Sequence, residues 1–186
     1  MEHEPIEQNL EKTEYPIERE VAMFKPWRQL KLRVGVSGDG FIQAIQDKGM
    51  QVHPYSQESM KSEDFILVDQ ETELALTVIS VKELTGNDQA SLEEIIDEAK
   101  KKGYQLCPNQ VGPESRLQYE DQPKGEELII GMKPIRNPDG IAELFAIENT
   151  NVGGKGEYRK LLLNEECGSD RLFNGWQKFI FLLPSK

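Results

Sequence analysis

Histidine and cysteine are scarce in this chain of 186 residues, with two of each: His3, His53, Cys107 and Cys167. The cysteines form no CxxC pair, and a structural zinc site needs four close nitrogen or sulfur ligands. Cys107, Cys167, His53 and a carboxylate would all have to converge, so neither a metal nor another cofactor is expected. A basic n-region and an apolar h-region are also missing, since Met1-Glu2-His3-Glu4-Pro5 is polar and acidic. Without a secretory signal a disulfide has little to favour it. Long apolar runs are absent too. Phe179 to Leu183 is among the longest, far short of the roughly 20 residues that span a bilayer. No membrane segment is expected, and the cytoplasm is the default location.

Positive charge is the next shortage. Lys and Arg number 22 against 33 Asp and Glu, a net charge of -11. Such a field repels phosphate backbones and anionic lipid from a distance, so nucleic acid is a disfavoured partner unless a local basic patch overrules it. What is present fits a folded domain: 37% of residues are hydrophobic and 30% charged, neither membrane-like nor wholly disordered. The length suits one domain with a real core.

Residues 1–23 are rich in Glu, and their few apolar groups (Ile6, Leu10, Ile17, Val21) are interrupted by Pro16. They read as a flexible acidic arm, because such a segment cannot offset the entropy of its own ordering. A single domain is expected over residues 24–186. Arg28 to Val34 alternates polar with apolar residues, the period of a half-buried strand. Ser37 is placed to cap a helix carrying Phe41, Ile42 and Ile45, which Gly49 ends. A short helix is expected before Asp64, and Phe65–Val68 and Ala75–Val81 read as strands. Ser91-Leu92-Glu93-Glu94 is a capping box ahead of Leu92, Ile95, Ile96 and Ala99, a helix to Lys102 closed by Gly103. Pro113 suits the opening of one helical turn through Arg116 and Tyr119. Four strands follow, near Glu127–Lys133, Ile141–Glu148, Tyr158–Leu163 and Gln177–Leu183, with Asn137-Pro138-Asp139-Gly140 as a turn between the first two. The fold class expected is α+β: a mostly antiparallel sheet with a C-terminal β-meander and two main helices.

Four features invite a chemical reading. Gly35-Val36-Ser37-Gly38-Asp39-Gly40 joins a strand to a helix, as phosphate loops do. Its spacing is not the dinucleotide fingerprint, no Gly-Lys-Ser/Thr follows, and Asp39 repels an anion, so it reads as a helix start. Lys25, Arg28, Lys31 and Arg33 gather four cations around Trp27, suited to phosphates and a stacked base; set against that, the polar face of an edge strand carries Lys and Arg to resist aggregation. Cys107 is a nucleophile only if a base such as His53 reaches it; buried cysteines at strand ends more often act as small hydrophobes. The densest region is Cys107 to Glu126, where three prolines stiffen an irregular segment and hold Arg116, Tyr119, Gln122, Lys124 and Glu126 for a ligand. The competing reading is that these groups satisfy one another while the chain crosses the sheet, pinned by an Arg116–carboxylate pair.

That last segment also carries a resemblance. Cys107-Pro108-x-x-Val111-Gly112-Pro113-x-x-Arg116-Leu117-x-Tyr119 with Asp121-Gln122-Pro123-Lys124-Gly125-Glu126 resembles the motif of an uncharacterised family of small bacterial proteins. The similarity runs from about Phe24 to the C-terminus, departing at Gln110, where an acidic residue is expected, and through the last third. It implies a bacterial, intracellular domain and brings no functional residues. The expected function is a non-catalytic binding module for a protein partner. The alternatives are a small-ligand site or enzyme at Arg116, Tyr119, Gln122, Lys124 and Glu126, and nucleic-acid binding through Lys25, Trp27, Arg28, Lys31 and Arg33.

Overall fold

The computed structural model describes residues 26–154 and 156–184; the expected arm over residues 1–23, and Lys25, lie outside them. Strand β1 (Arg28–Leu32) leads to helix α1 (Gly38–Asp47), strand β2 (Gln51–Val52) and helix α2 (Pro54–Lys61). Strand β3 (Thr72–Ser80), helix α3 (Val81–Thr85), strand β4 (Gln89–Ser91), and helices α4 (Leu92–Lys101) and α5 (Val111–Gln118) follow. The last third holds β5 (Glu127–Ile130), β6 (Ile135–Arg136), β7 (Ala142–Asn151), β8 (Tyr158–Glu166), β9 (Leu172–Asn174) and β10 (Lys178–Leu182). The α+β class is as expected, although the described residues contain five α-helices where two were read as the main ones.

Local signals explain the helix starts. The Ser37 side chain accepts from the Gly40 N–H, and the box at Ser91 and Glu94 closes in both directions, satisfying donors that a helix start leaves orphaned. The single turn expected at Pro113 extends to the eight residues of α5. Pro113 is its third residue, where an N–H has no intrahelical partner, so its absence costs little.

The main sheet runs β1-β3-β10-β5-β7-β8-β2, with β6 beside β7. It is mixed, and the C-terminal part is not a simple meander. β5, β7 and β8 pair antiparallel, but β10 inserts between β3, its antiparallel partner, and β5, which it meets in parallel. The reason lies in the residues: Phe179, Ile180 and Phe181 are all 0% exposed, and a strand apolar on both faces belongs in the middle of a sheet. The Phe65–Val68 segment forms no strand.

Residues paired across strands share a face. One face carries Leu30, Leu76, Ile180, Ile130, Phe145 and Leu162, and the sheet curls so that α5 packs on β1, β7 and β8 together. The approach is close: a Cβ on Gly112 of α5 would meet the Phe145 side chain at 2.8 Å. The other face carries Phe179 and Phe181, which pack with Phe173 of the two-stranded β4–β9 ribbon and with Tyr104. Among the described residues no helix is long and apolar enough to cross a membrane.

Candidate functional site

β1 lies at the edge of the sheet, where outward N–H and C=O groups are open to water or to a strand of another chain. α5 takes that place with side chains. Gln110, Glu114 and Gln118 are spaced by four, so they form one row along the helix. Gln118 accepts the Lys31 N–H at 3.2 Å and donates to the Lys31 carbonyl at 2.7 Å. Glu114 accepts the Arg33 N–H at 3.0 Å, and Gln110 donates to the Arg33 carbonyl at 2.7 Å. Three side chains thus do for the Lys31 and Arg33 end of this edge what a neighbouring strand would do. Glu114 is 0% exposed and also accepts from the Arg33 Nε at 3.0 Å and from Gln118 at 2.9 Å, the dense donor set that a buried carboxylate requires.

Arg116 faces the interior from the same helix and is 0% exposed. The expected carboxylate partner is absent. Its Nη1 donates to the Gln122 side-chain oxygen at 2.5 Å and the Glu148 carbonyl at 3.3 Å, and its Nη2 donates to the Tyr119 carbonyl at 2.7 Å. Burial lowers its pKa to about 10, since charge is costly away from water. The nearby carboxylates are engaged elsewhere, Glu114 by Arg33 and Glu126 by the Tyr119 hydroxyl at 2.9 Å. Gln122 passes the network on, donating to the Glu126 and Ile147 carbonyls at 3.1 Å each, while Asn149 donates to its carbonyl at 2.7 Å.

Arg116, Gln122, Tyr119 and Glu126 are therefore brought together, but as an interior network: Tyr119 is 5% and Gln122 3% exposed. Burial, then Glu126, raises the Tyr119 pKa. Lys124 stands apart on the surface, its ammonium 4.9 Å from the Tyr158 ring. The described cations of the other cluster are each paired with an acid. Arg28 meets Asp121 at 2.9 Å, Lys31 meets Glu71 at 3.0 Å, and Arg33 meets the buried Glu114. Trp27 packs edge-on against Tyr119 at 5.0 Å, with the Arg28 guanidinium over the Tyr119 ring at 4.4 Å.

Both cysteines are free and buried. Cys107 donates to the Ile180 carbonyl at 3.5 Å, and burial drives its pKa far up; burial and Glu143 push Cys167 up to about 11. Neither environment favours a thiolate. His53 caps α2 by accepting the Tyr55 N–H. Among the described residues no three His, Cys, Asp or Glu are grouped to hold a metal ion.

The open surface begins where the crossing starts. A cleft of about 800 Å³ is lined by Ile66, Leu67, Val68, Pro108, Asn109, Lys133 and Pro134, among others. Ile66 is 66% and Leu67 39% exposed. Looseness does not account for this. On one side Phe65 is buried against Phe41 and Phe145 in edge contacts of 6.3 and 6.0 Å, and on the other the Val68 N–H donates to Gln110 at 2.9 Å. Asn109 donates to the Asp64 carbonyl at 2.8 Å, while its buried Oδ1 has no partner among the described residues. Sequence periodicity missed this strip because four apolar residues in a row read equally well as a buried strand. The flanking charges, Glu63, Asp64 and Asp69, were the available signal.

Comparison of the chain with protein-family models, with curated proteins and with solved structures returned no match.

Proposed function

We propose that this chain is a non-catalytic interaction module of a bacterial cytoplasm, and that it receives an extended, apolar segment of a protein partner along Ile66 and Leu67. One observation carries the reading: two adjacent large apolar side chains are held out over an open cleft by a backbone fixed on both sides and belonging to no β-ladder. Exposed apolar groups that are fixed in place mark contact surfaces. An extended peptide supplies what they need, apolar cover for the side chains and backbone partners for the strip. The polar residues of the 107–126 crossing then serve as the wall that holds the strip.

A phage-displayed random peptide library selected on the protein tests this, with counter-selection on the Ile66→Asp/Leu67→Asp variant. Extended apolar sequences that bind the parent and lose the variant are expected. Recovery of no binder, or of binders indifferent to the two substitutions, contradicts the reading.

A further inference from the structure

A second cleft, of about 580 Å³, lies at the opposite end of β3, around the connection from β9 to β10. Its aromatic member, Trp176, is 70% exposed. The turn that bears it is tightly held. The Gly175 N–H donates to the Asp88 carbonyl at 2.6 Å and its carbonyl accepts the Lys82 N–H at 2.9 Å; the Gln177 N–H donates to the Asn174 carbonyl at 2.9 Å and its carbonyl accepts the Val81 N–H at 2.9 Å. The Gln177 side chain accepts the Asn174 N–H at 2.9 Å. A Cβ on Gly175 would lie 3.1 Å from the Asp88 carbonyl oxygen, so the backbone itself is seated against the Asn87–Asp88 loop. An indole mounted this way has an anchored backbone before any ligand arrives, which lowers the ordering cost of binding.

The groups around the indole are polar and electrically balanced. Lys82 pairs with Asp88 at 2.7 Å, and the Asn174 amide accepts from Gln89 at 3.1 Å. Glu83 and Lys178 complete the wall, giving two cations and two carboxylates. No net charge is available to select an ion, and the chain's overall charge of -11 disfavours phosphate-bearing ligands. Amides, carboxylates and ammonium groups together offer both donors and acceptors. A ligand matching this wall and an aromatic face has one apolar C–H face and a rim of hydroxyls, each both donor and acceptor. That is the chemistry of a neutral pyranose sugar.

We propose that the Trp176 cleft binds a neutral saccharide, the sugar stacking on the indole and its hydroxyls bonding to Asp88, Lys82 and Asn174. The proposal is independent of the peptide-binding strip. The chain has two tryptophans, so the test uses the full chain in a Trp27→Phe background, where Trp176 alone reports. Fluorescence is titrated with a panel of neutral mono- and disaccharides (glucose, galactose, N-acetylglucosamine, maltose, cellobiose), with adenosine and an aromatic tripeptide as comparators. A saturable blue shift with at least one saccharide is expected, at a dissociation constant on the order of 1 mM. Asp88→Ala should weaken that affinity about tenfold without lowering the melting temperature appreciably, because Asp88 is on the surface. Absence of a saturable change with every saccharide overturns the proposal, as does a response confined to adenosine or the tripeptide, or one unaffected by Asp88→Ala.

Discussion

Residues 107–126 and residues 64–70 lie side by side, joined by Gln110 and Asn109, and they invert what their compositions suggest. The first is dense in polar and charged groups, yet Gln110, Glu114, Arg116 and Gln122 are all buried. The second is apolar at its centre, yet Ile66 and Leu67 are exposed. The difference teaches that polarity predicts surface only when no backbone needs a partner. The open edge of β1 demands donors and acceptors, and α5 meets that demand with Gln110, Glu114 and Gln118. The strip beside it is held by one buried aromatic, Phe65, and by side-chain bonds from Gln110 and Asn109, and these fix it without covering it.

The largest expected effect comes from removing the interior cation. Arg116→Ala leaves the Gln122 oxygen and the Tyr119 carbonyl without their donor and opens a cavity, a loss of about 4 kcal/mol in denaturant unfolding. Arg116→Met, which refills much of the volume, should recover part of it. Next is the edge itself. Glu114→Ala strands the Arg33 N–H and costs about 3 kcal/mol, and the uncovered edge should promote self-association measurable by light scattering.

A smaller effect of opposite sign is expected at Glu127, a carboxylate on the other face of the sheet that lacks the donor set of Glu114. Burial first, then Glu165 and Glu148, raise its pKa above the ordinary 4.5. The folded chain then holds that proton more tightly than the unfolded chain. The favourable contribution is complete below the ordinary value and is lost as pH rises through the raised one, so the ionised group is a cost at neutral pH. Glu127→Gln should raise the melting temperature at pH 7 and leave it unchanged at pH 4. The smallest effect belongs to the strip, where Ile66→Asp should alter stability by no more than about 0.5 kcal/mol. A large loss there would mean that Ile66 contributes to the core.

Elements with local signals were legible in the sequence. Ser37, the box at Ser91 and Glu94, and the alternation from Arg28 each specify a helix start or a strand through neighbours in the chain. The position of β10 was not legible, because inserting between β3 and β5 depends on partners far away in sequence. The crossing is unusual in composition, and the reading in which its groups satisfy one another describes most of the network, the Arg116 Nε having no partner among the described residues. Its expected Arg116–carboxylate pair was wrong, since carbonyl acceptors at Tyr119 and Glu148 leave no trace in residue identity. The spacing of Gln110, Glu114 and Gln118 was visible, but its meaning required knowing that β1 is an edge. Trp176 follows Asn174-Gly175, a turn signal, yet sequence does not say whether a turn carries its aromatic inward or outward.

Amide hydrogen exchange on the full chain, resolved by residue, tests the contrast most directly. Side-chain acceptors on α5 should protect the Lys31 and Arg33 amides nearly as strongly as amides within the sheet, while those of Ile66 and Leu67 exchange fast in the absence of a partner. Rapid exchange at Lys31 and Arg33, or strong protection at Ile66 and Leu67 in the isolated protein, would contradict a sealed edge beside an open strip.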